Sequence, residues 1–196
     1  MVRPKNLLLY TMAALALTFS SCESEDPLPE NDAEVITDVI LTFVEVNQTI
    51  IPIGTPFSIK ASDPEGIELG SEPIIETINL ETGKSYVMTI QVLNGIEDED
   101  ITKEILAEAD KHQFYFLGDT FSQNAIAISY IDPSGKNLGL ENILSTSNTA
   151  FTGIWRVILR HDLDKSFPRA TNPNFENFAQ AGGSSDLDIT FPVVIN

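Results

Sequence analysis

The fold class of this chain rests first on the stretch Val35-Ile36-Thr37-Asp38-Val39-Ile40-Leu41-Thr42-Phe43-Val44. It mixes β-branched and aromatic residues, which fit the pleated surface of a strand. The odd-numbered residues share one side of such a strand and the even-numbered residues share the other. The stretch therefore predicts a β-strand near the start of the folded domain.

Seven further segments have the same character and are separated by turn sequences such as Asn94-Gly95 and Gly182-Gly183. They are residues 57–60, 74–79, 85–93, 113–117, 125–131, 152–161 and 187–195. About eight short strands separated by such turns predict a mainly β domain, an Ig-like two-sheet antiparallel β-sandwich.

One segment predicts a short helix within this β pattern. Asp100 is a suitable capping residue, and Ile105 and Ala109 recur on one stripe of a helix that begins at Ile101. Residues 172–183 are polar apart from two phenylalanines and predict a long loop.

The N-terminus has the pattern of a bacterial lipoprotein signal. Arg3 and Lys5 precede an apolar stretch over 7–19, and the small residues Ser20 and Ser21 come directly before Cys22. We therefore expect residues 1–21 to be a signal peptide and the Cys22 sulfur to carry the lipid that anchors the protein to the membrane. The alternative is an ordinary secretory signal followed by a free thiol.

An acidic tether, residues 22–33, separates this anchor from the domain over 34–196. Its composition is too polar to bury a core, so it is at least a solvated linker. An acidic cluster after a lipidated cysteine also resembles the surface-export signal of some Gram-negative lipoproteins. That resemblance implies an outer-membrane protein displayed on the cell surface, with a periplasm-facing position as the alternative.

Charge and cysteine content exclude several function classes. The formal net charge of −18 becomes −20 once the two leader cations are removed, and so acidic a protein repels phosphate backbones. Nucleic-acid binding is therefore not expected, and the lipid is the expected contact with the membrane. Because Cys22 is the only cysteine, a disulfide, a catalytic thiol and a cysteine-ligated zinc are excluded once it is lipidated.

Several short motifs resemble one family of small outer-membrane lipoproteins, often labelled the type 1 periplasmic binding fold superfamily. The motifs are Glu108-Ala109-Asp110-Lys111-His112-Gln113-Phe114, Asn137-Leu138-Gly139-Leu140, Leu159-Arg160-His161-Asp162 and Ala181-Gly182-Gly183-Ser184-Ser185-Asp186. The resemblance implies a lipoprotein without an established activity. A fold of that label needs two α/β lobes, whereas this chain offers one helix candidate, so the β-sandwich remains the expected fold.

The two histidines are the residues on which any site chemistry depends. His112 follows Glu108 by four residues, a helical spacing that can direct both side chains at one ion. His161 ends a row of alternating residues on the 152–161 strand. Glu108, His112 and His161 together offer the nitrogen and oxygen ligands of zinc or another divalent metal. Asp162 can contribute only if the strand ends before it.

An equally simple interpretation is two histidines at the rim of the core, each bonded to a nearby carboxylate or carbonyl. In a simple meander the two strands would be parallel, which would place the histidines at opposite ends of the sheet. A crossing between sheets would bring them together.

Other chemistry has weaker support in the sequence. The turns at 63–66 and 132–135 contain oxygen ligands suited to calcium, yet they lack the ligand spacing of an EF-hand and are also ordinary turn sequences. There is no Gly-x-Ser-x-Gly elbow and no phosphate-binding glycine loop. We therefore expect a non-enzymatic binding module, and the resemblance to outer-membrane lipoproteins implies that it is accessory to an outer-membrane nutrient receptor. A metal-binding lipoprotein is the first alternative, and a carbohydrate-active hydrolase with paired carboxylates is a distant third.

Overall fold

Ten β-strands build most of the structure, a computed structural model that describes residues 35–69, 72–133 and 135–196. The signal peptide, Cys22 and the acidic tether lie outside the described residues, and the predictions made for them stand as predictions. The strands are β1 (Asp38–Val46), β2 (Phe57–Ser62), β3 (Ile74–Ile75), β4 (Ile78–Leu80), β5 (Ser85–Leu93), β6 (Gln113–Leu117), β7 (Ile126–Tyr130), β8 (Glu141–Thr146), β9 (Phe151–His161) and β10 (Ser184–Ile195). The helices are α1 (Thr102–Ala107), α2 (Asp119–Ser122) and a 3₁₀ turn (Phe178–Ala181).

The strands form two sheets, which confirms the mainly β, two-sheet prediction. One sheet has six strands in the order β3-β2-β1-β5-β8-β7, and the other has four in the order β4-β10-β9-β6. Neighbouring strands among the described residues pair antiparallel, apart from the parallel pair of β4 and β10.

Both sheets contribute alternate residues to one hydrophobic core. Val39, Leu41 and Phe43 of β1 are fully buried and join a cluster with Trp155 and Val157 of β9. Phe43, Phe116 and Phe121 meet the single tryptophan edge to face, with ring centroids 4.9–6.3 Å apart. Burial of these large aromatic faces is the main source of stability in a domain without disulfides.

The outer face of the four-stranded sheet is covered by the long connection from β9 to β10. Tyr115 and Ile158 face outward into a second cluster with Leu163, Ala170 and Phe175 of that connection. The loop predicted over 172–183 is present as a series of turns ending in the 3₁₀ turn. Strand β9 is consequently buried on both faces from residue 157 to residue 160.

Local differences from the sequence prediction have physical causes. The segment 74–79 is two strands, because β3 pairs in one sheet and β4 in the other. Strand β8 was not predicted because its buried positions include polar Asn142 and Thr146, which hide the alternation. Helix α1 begins one residue later than predicted and ends at Ala107, so buried Ile105 lies in the helix and buried Ala109 follows it.

Candidate metal centre

The two histidines lie side by side at one end of the four-stranded sheet. Strands β6 and β9 pair antiparallel with Gln113 opposite Arg160, so His112 and His161 are the next opposed pair. Their rings stack with centroids 4.4 Å apart and planes inclined by 15°. The expectation of parallel strands with the histidines at opposite ends is therefore wrong. The unpredicted strand β8 adds one reversal of the chain between them, which makes β9 antiparallel to β6.

A third group, Asp186, joins the histidines and was not predicted as a site residue. Strand β10 pairs Ser185 with Arg160 and then Leu187 with Leu159, so Asp186 is the extra residue of a β-bulge. Its Oδ2 lies 3.8 Å from His112 Nε2 and 3.9 Å from His161 Nδ1. The three side chains bring one potential ligand atom each to within 4.8 Å of one another. Sequence alternation cannot reveal a residue that a bulge redirects.

Arg160 fixes the segment that leads into this bulge. Its guanidinium donates hydrogen bonds to the carbonyl oxygens of Gly182 and Gly183 and to Ser185 Oγ. Gly183 has a φ of +72°, and a Cβ there would overlap the His161 carbonyl oxygen. The close approach of the 182–185 segment to β9 thus requires glycine and determines where Asp186 is held.

Glu108, the third predicted ligand, contacts both rings from their other side. Its main-chain oxygen lies 3.3 Å from His112 Nδ1, and its Oε2 lies 3.8 Å from His161 Nε2. Its carboxylate also pairs with Lys111 at 3.2 Å. The helical spacing of Glu108 and His112 does produce a contact, but through the main chain rather than through two converging side chains. The converging set in the described part of the chain is His112, His161 and Asp186.

Burial shifts the pKa of His112 and of Asp186. The side chains of His112 and Asp186 are 2% and 5% exposed, and that of His161 is 15% exposed. Burial and then the neighbouring His161 lower the pKa of His112, against an opposing effect of Glu108 and Glu104. Burial raises the pKa of Asp186, while His161 and Arg160 act in the other direction. His112 is therefore a neutral imidazole with an available lone pair at physiological pH.

The two distances to Asp186 are close to those of a metal site, whereas the limit for the whole set of ligand atoms, 4.8 Å, is well above them. Tetrahedral zinc, with bonds of about 2.0–2.2 Å, places neighbouring ligand atoms about 3.4 Å apart. The observed 3.8 and 3.9 Å are therefore a few tenths of an ångström too long. Because an imidazole lone pair lies in the ring plane, two nearly parallel rings cannot both point at one ion. One of the two rings must therefore turn before both can bind one ion.

The remaining sequence candidates have other positions. Strand β9 ends at His161, and Asp162 follows with a φ of +53° and its Oδ1 3.5 Å from His161 Nε2. The strand thus ends before Asp162, as a contribution from this residue requires. Its carboxylate lies near Nε2 of His161, on the same side of that ring as Glu108. In the predicted calcium turns, the Asp132 carboxylate accepts three main-chain N–H bonds and Asp63 accepts one from Glu65. The Asp63 bond is that of an ordinary Asx turn, whereas Asp132 joins the two ends of the loop from residue 132 to the start of β8.

Comparison with known proteins adds no family assignment. No protein-family model matches the chain, and neither a curated protein nor a solved structure matches it significantly. Across residues 35–69, 72–133 and 135–196, the helices are all too short or too polar to span a membrane. The geometry of the cluster is therefore the basis for a functional proposal.

Proposed function

We propose that this protein is a non-enzymatic binding module for a divalent transition-metal cation, with zinc as the first choice. Two imidazole nitrogens and one carboxylate oxygen, from His112, His161 and Asp186, form a donor set suited to zinc and neighbouring metals. The observation that carries the proposal is their convergence within 4.8 Å from three adjacent strands. Three protein ligands leave a further coordination position for water or for a ligand carried by the metal.

The distances to Asp186 suit a metal site, and the contact of His112 Nδ1 with the Glu108 carbonyl oxygen at 3.3 Å also suits a hydrogen-bonded core histidine. A hydrogen bond between a ring nitrogen and a carboxylate oxygen would bring the atoms to about 3 Å. Asp186 Oδ2 is instead 3.8–3.9 Å from a nitrogen of each ring, so it faces both without bonding to either. Burying a carboxylate costs free energy unless a partner compensates it. His161 and Arg160 supply part of that compensation, and a cation between the three groups would add to it.

The same proposal includes the location expected from the sequence. The lipid on Cys22 would hold the domain at the outer membrane, and the acidic chain would attract cations toward it. The accessory role beside an outer-membrane nutrient receptor rests on the family resemblance. In that role the module would capture the ion for the receptor.

Equilibrium dialysis against zinc tests the site directly. Untagged protein, purified without chelators, should retain one zinc ion per chain, and less than a tenth of an equivalent would refute the proposal. His112→Ala, His161→Ala and Asp186→Asn should each lose the ion. Asp188→Asn is the matched control, because Asp188 lies on the same strand but pairs with Arg156. Unchanged binding in the double histidine variant would show that the ligands are assigned wrongly.

The receptor role has a separate test. Mild crosslinking in intact cells, followed by purification, should recover the protein together with an integral outer-membrane protein. Recovery of the lipoprotein alone would argue against the accessory role and leave the metal site unaffected.

A further inference from the structure

A groove opens beside β5 at the point where β8 begins. Strand β8 starts at Glu141, opposite Thr89, although β5 runs four residues further. Beyond that point α1 occupies the same side of β5, and its Thr102 Oγ1 accepts the Val92 N–H. The space between β8, α1 and the loop over 131–140 is a groove of about 300 Å³.

The groove is mostly apolar. It is lined by Thr89, Ile90, Thr102, Leu106, Asp132, Pro133, Leu140 and Glu141. Ile90 and Leu140 are buried beneath it, whereas Leu106 of α1 is 54% exposed. A volume of about 300 Å³ is at the lower end of the range for ligand pockets and about twice that of a cavity that holds benzene. The space therefore suits one ring with a short chain.

Two polar groups of the lining have no role within the fold. The Asp132 carboxylate accepts three main-chain N–H bonds, and Thr102 Oγ1 bonds to the main chain of Val92. Thr89 and Glu141 are directly opposed on neighbouring strands, so their side chains share one face of the sheet with Cβ atoms about 4.5–5.5 Å apart. None of the ion pairs among the described residues includes Glu141. Its carboxylate and the Thr89 hydroxyl are thus placed to bind one ligand together.

The charge of the lining identifies the class of that ligand. The lining has two carboxylates and no lysine, arginine or histidine, so an anion would be repelled. A calcium or magnesium ion would need about six oxygen ligands, which these mostly apolar walls do not supply. A positive charge attached to an apolar body matches both parts of the groove.

We propose that this groove is a binding site for a small organic ammonium ion. The ammonium group donates hydrogen bonds to the Glu141 carboxylate and to Thr89 Oγ1. The apolar body of the ligand lies against Ile90, Leu106 and Leu140. The groove shares no residue with the candidate metal centre, so the two sites can be tested separately.

Titration with phenethylamine, followed by methyl NMR of the protein, tests the site. The methyl signals of Ile90, Leu106 and Leu140 should shift and saturate with a dissociation constant of about 1 mM or lower. Hydrocinnamate, which has the same ring and chain but a negative charge, should bind at least about 10-fold more weakly. Equal binding of the two probes, or no saturable shift of these signals up to about 10 mM phenethylamine, would overturn the inference.

Variants distinguish this site from a general attraction of cations to an acidic protein. Glu141→Gln should weaken phenethylamine binding about 3- to 10-fold and leave binding of neutral phenethyl alcohol unchanged, because only the charge is removed. Leu106→Trp should fill the groove and abolish binding of both probes. Glu104→Gln is the matched control, because Glu104 lies on the same helix but outside the groove, and it should bind as the wild type does. Equal weakening by Glu104→Gln and Glu141→Gln would show that net charge alone attracts the amine and would overturn the inference.

Discussion

Alanine substitutions at Gly182 and Gly183 provide a matched test of how the chain approaches the cluster. Gly182 has φ of 79° and ψ of −164°, a conformation nearly restricted to glycine, but a Cβ there meets no atom within 4 Å. Backbone strain of this kind costs about 1–3 kcal/mol, and the loss of glycine entropy in the unfolded chain offsets part of it. Gly182→Ala should therefore lower the free energy of unfolding by about 1–2 kcal/mol.

Gly183→Ala should lower the free energy of unfolding more than Gly182→Ala does. Its φ is also positive, and its Cβ would overlap the His161 carbonyl oxygen and lie 2.9 Å from the carbonyl carbon of Asp162 and the nitrogen of Leu163. Ordinary contacts to a Cβ begin near 3.4 Å, so the overlap with the His161 carbonyl oxygen requires the backbone at the end of β9 to move by about an ångström or more. Overpacking adds about 1–3 kcal/mol to the backbone strain, giving a total of about 2–5 kcal/mol.

Urea unfolding followed by the fluorescence of Trp155, the only tryptophan and fully buried, measures both variants. The expected difference between them is the overpacking cost of about 1–3 kcal/mol, with Gly183→Ala the less stable. Equal destabilisation, within about 0.5 kcal/mol, would show that residues 182–185 do not approach β9 as described.

Three further predictions concern other parts of the molecule. Burial lowers the pKa of Lys165 to about 8, so the unfolded chain binds more protons between pH 8 and 10; the free energy of unfolding should rise with pH there, and Lys165→Met should remove that rise in urea titrations at each pH. Asp132→Ala removes the acceptor of three main-chain N–H groups and should cost about 2–4 kcal/mol, with Asp132→Asn intermediate; equal stability of both variants would contradict the turn role. Free zinc at 100 times its Kd should stabilise the fold by about 2.7 kcal/mol, or roughly 5–11 °C in Tm, and Asp186→Asn should show no such shift in calorimetry.

Most of the fold was predictable because strand periodicity is a local property. In β1 and β5 the apolar core residues alternate in the sequence and are buried as alternation requires, whereas β6 and part of β9 are buried on both faces. Strand β8 was not predictable in this way, because Asn142 and Thr146 occupy buried positions that normally mark a strand with apolar residues. Because β8 was missing from the prediction, β9 was expected to run parallel to β6, whereas the two strands are antiparallel.

The candidate site was partly predictable for a related reason. Histidines are rare in this chain, and their places at the start of β6 and the end of β9 follow from strand boundaries. That they meet depends on strand pairing, which is not local. Asp186 was beyond sequence reasoning, because only the register shift in β10 turns it toward the rings. Nothing in the spacing of Glu108 and His112 shows that the main chain makes the contact.

The central claim is that His112, His161 and Asp186 hold one metal ion, and X-ray absorption at the zinc edge tests it most directly. Zinc-loaded protein should show two imidazole nitrogens at about 2.0–2.1 Å and at least one oxygen at a similar distance. His161→Ala should reduce the imidazole contribution to one ring or abolish binding. A spectrum that contains only oxygen scatterers would place the zinc on surface carboxylates and contradict the account.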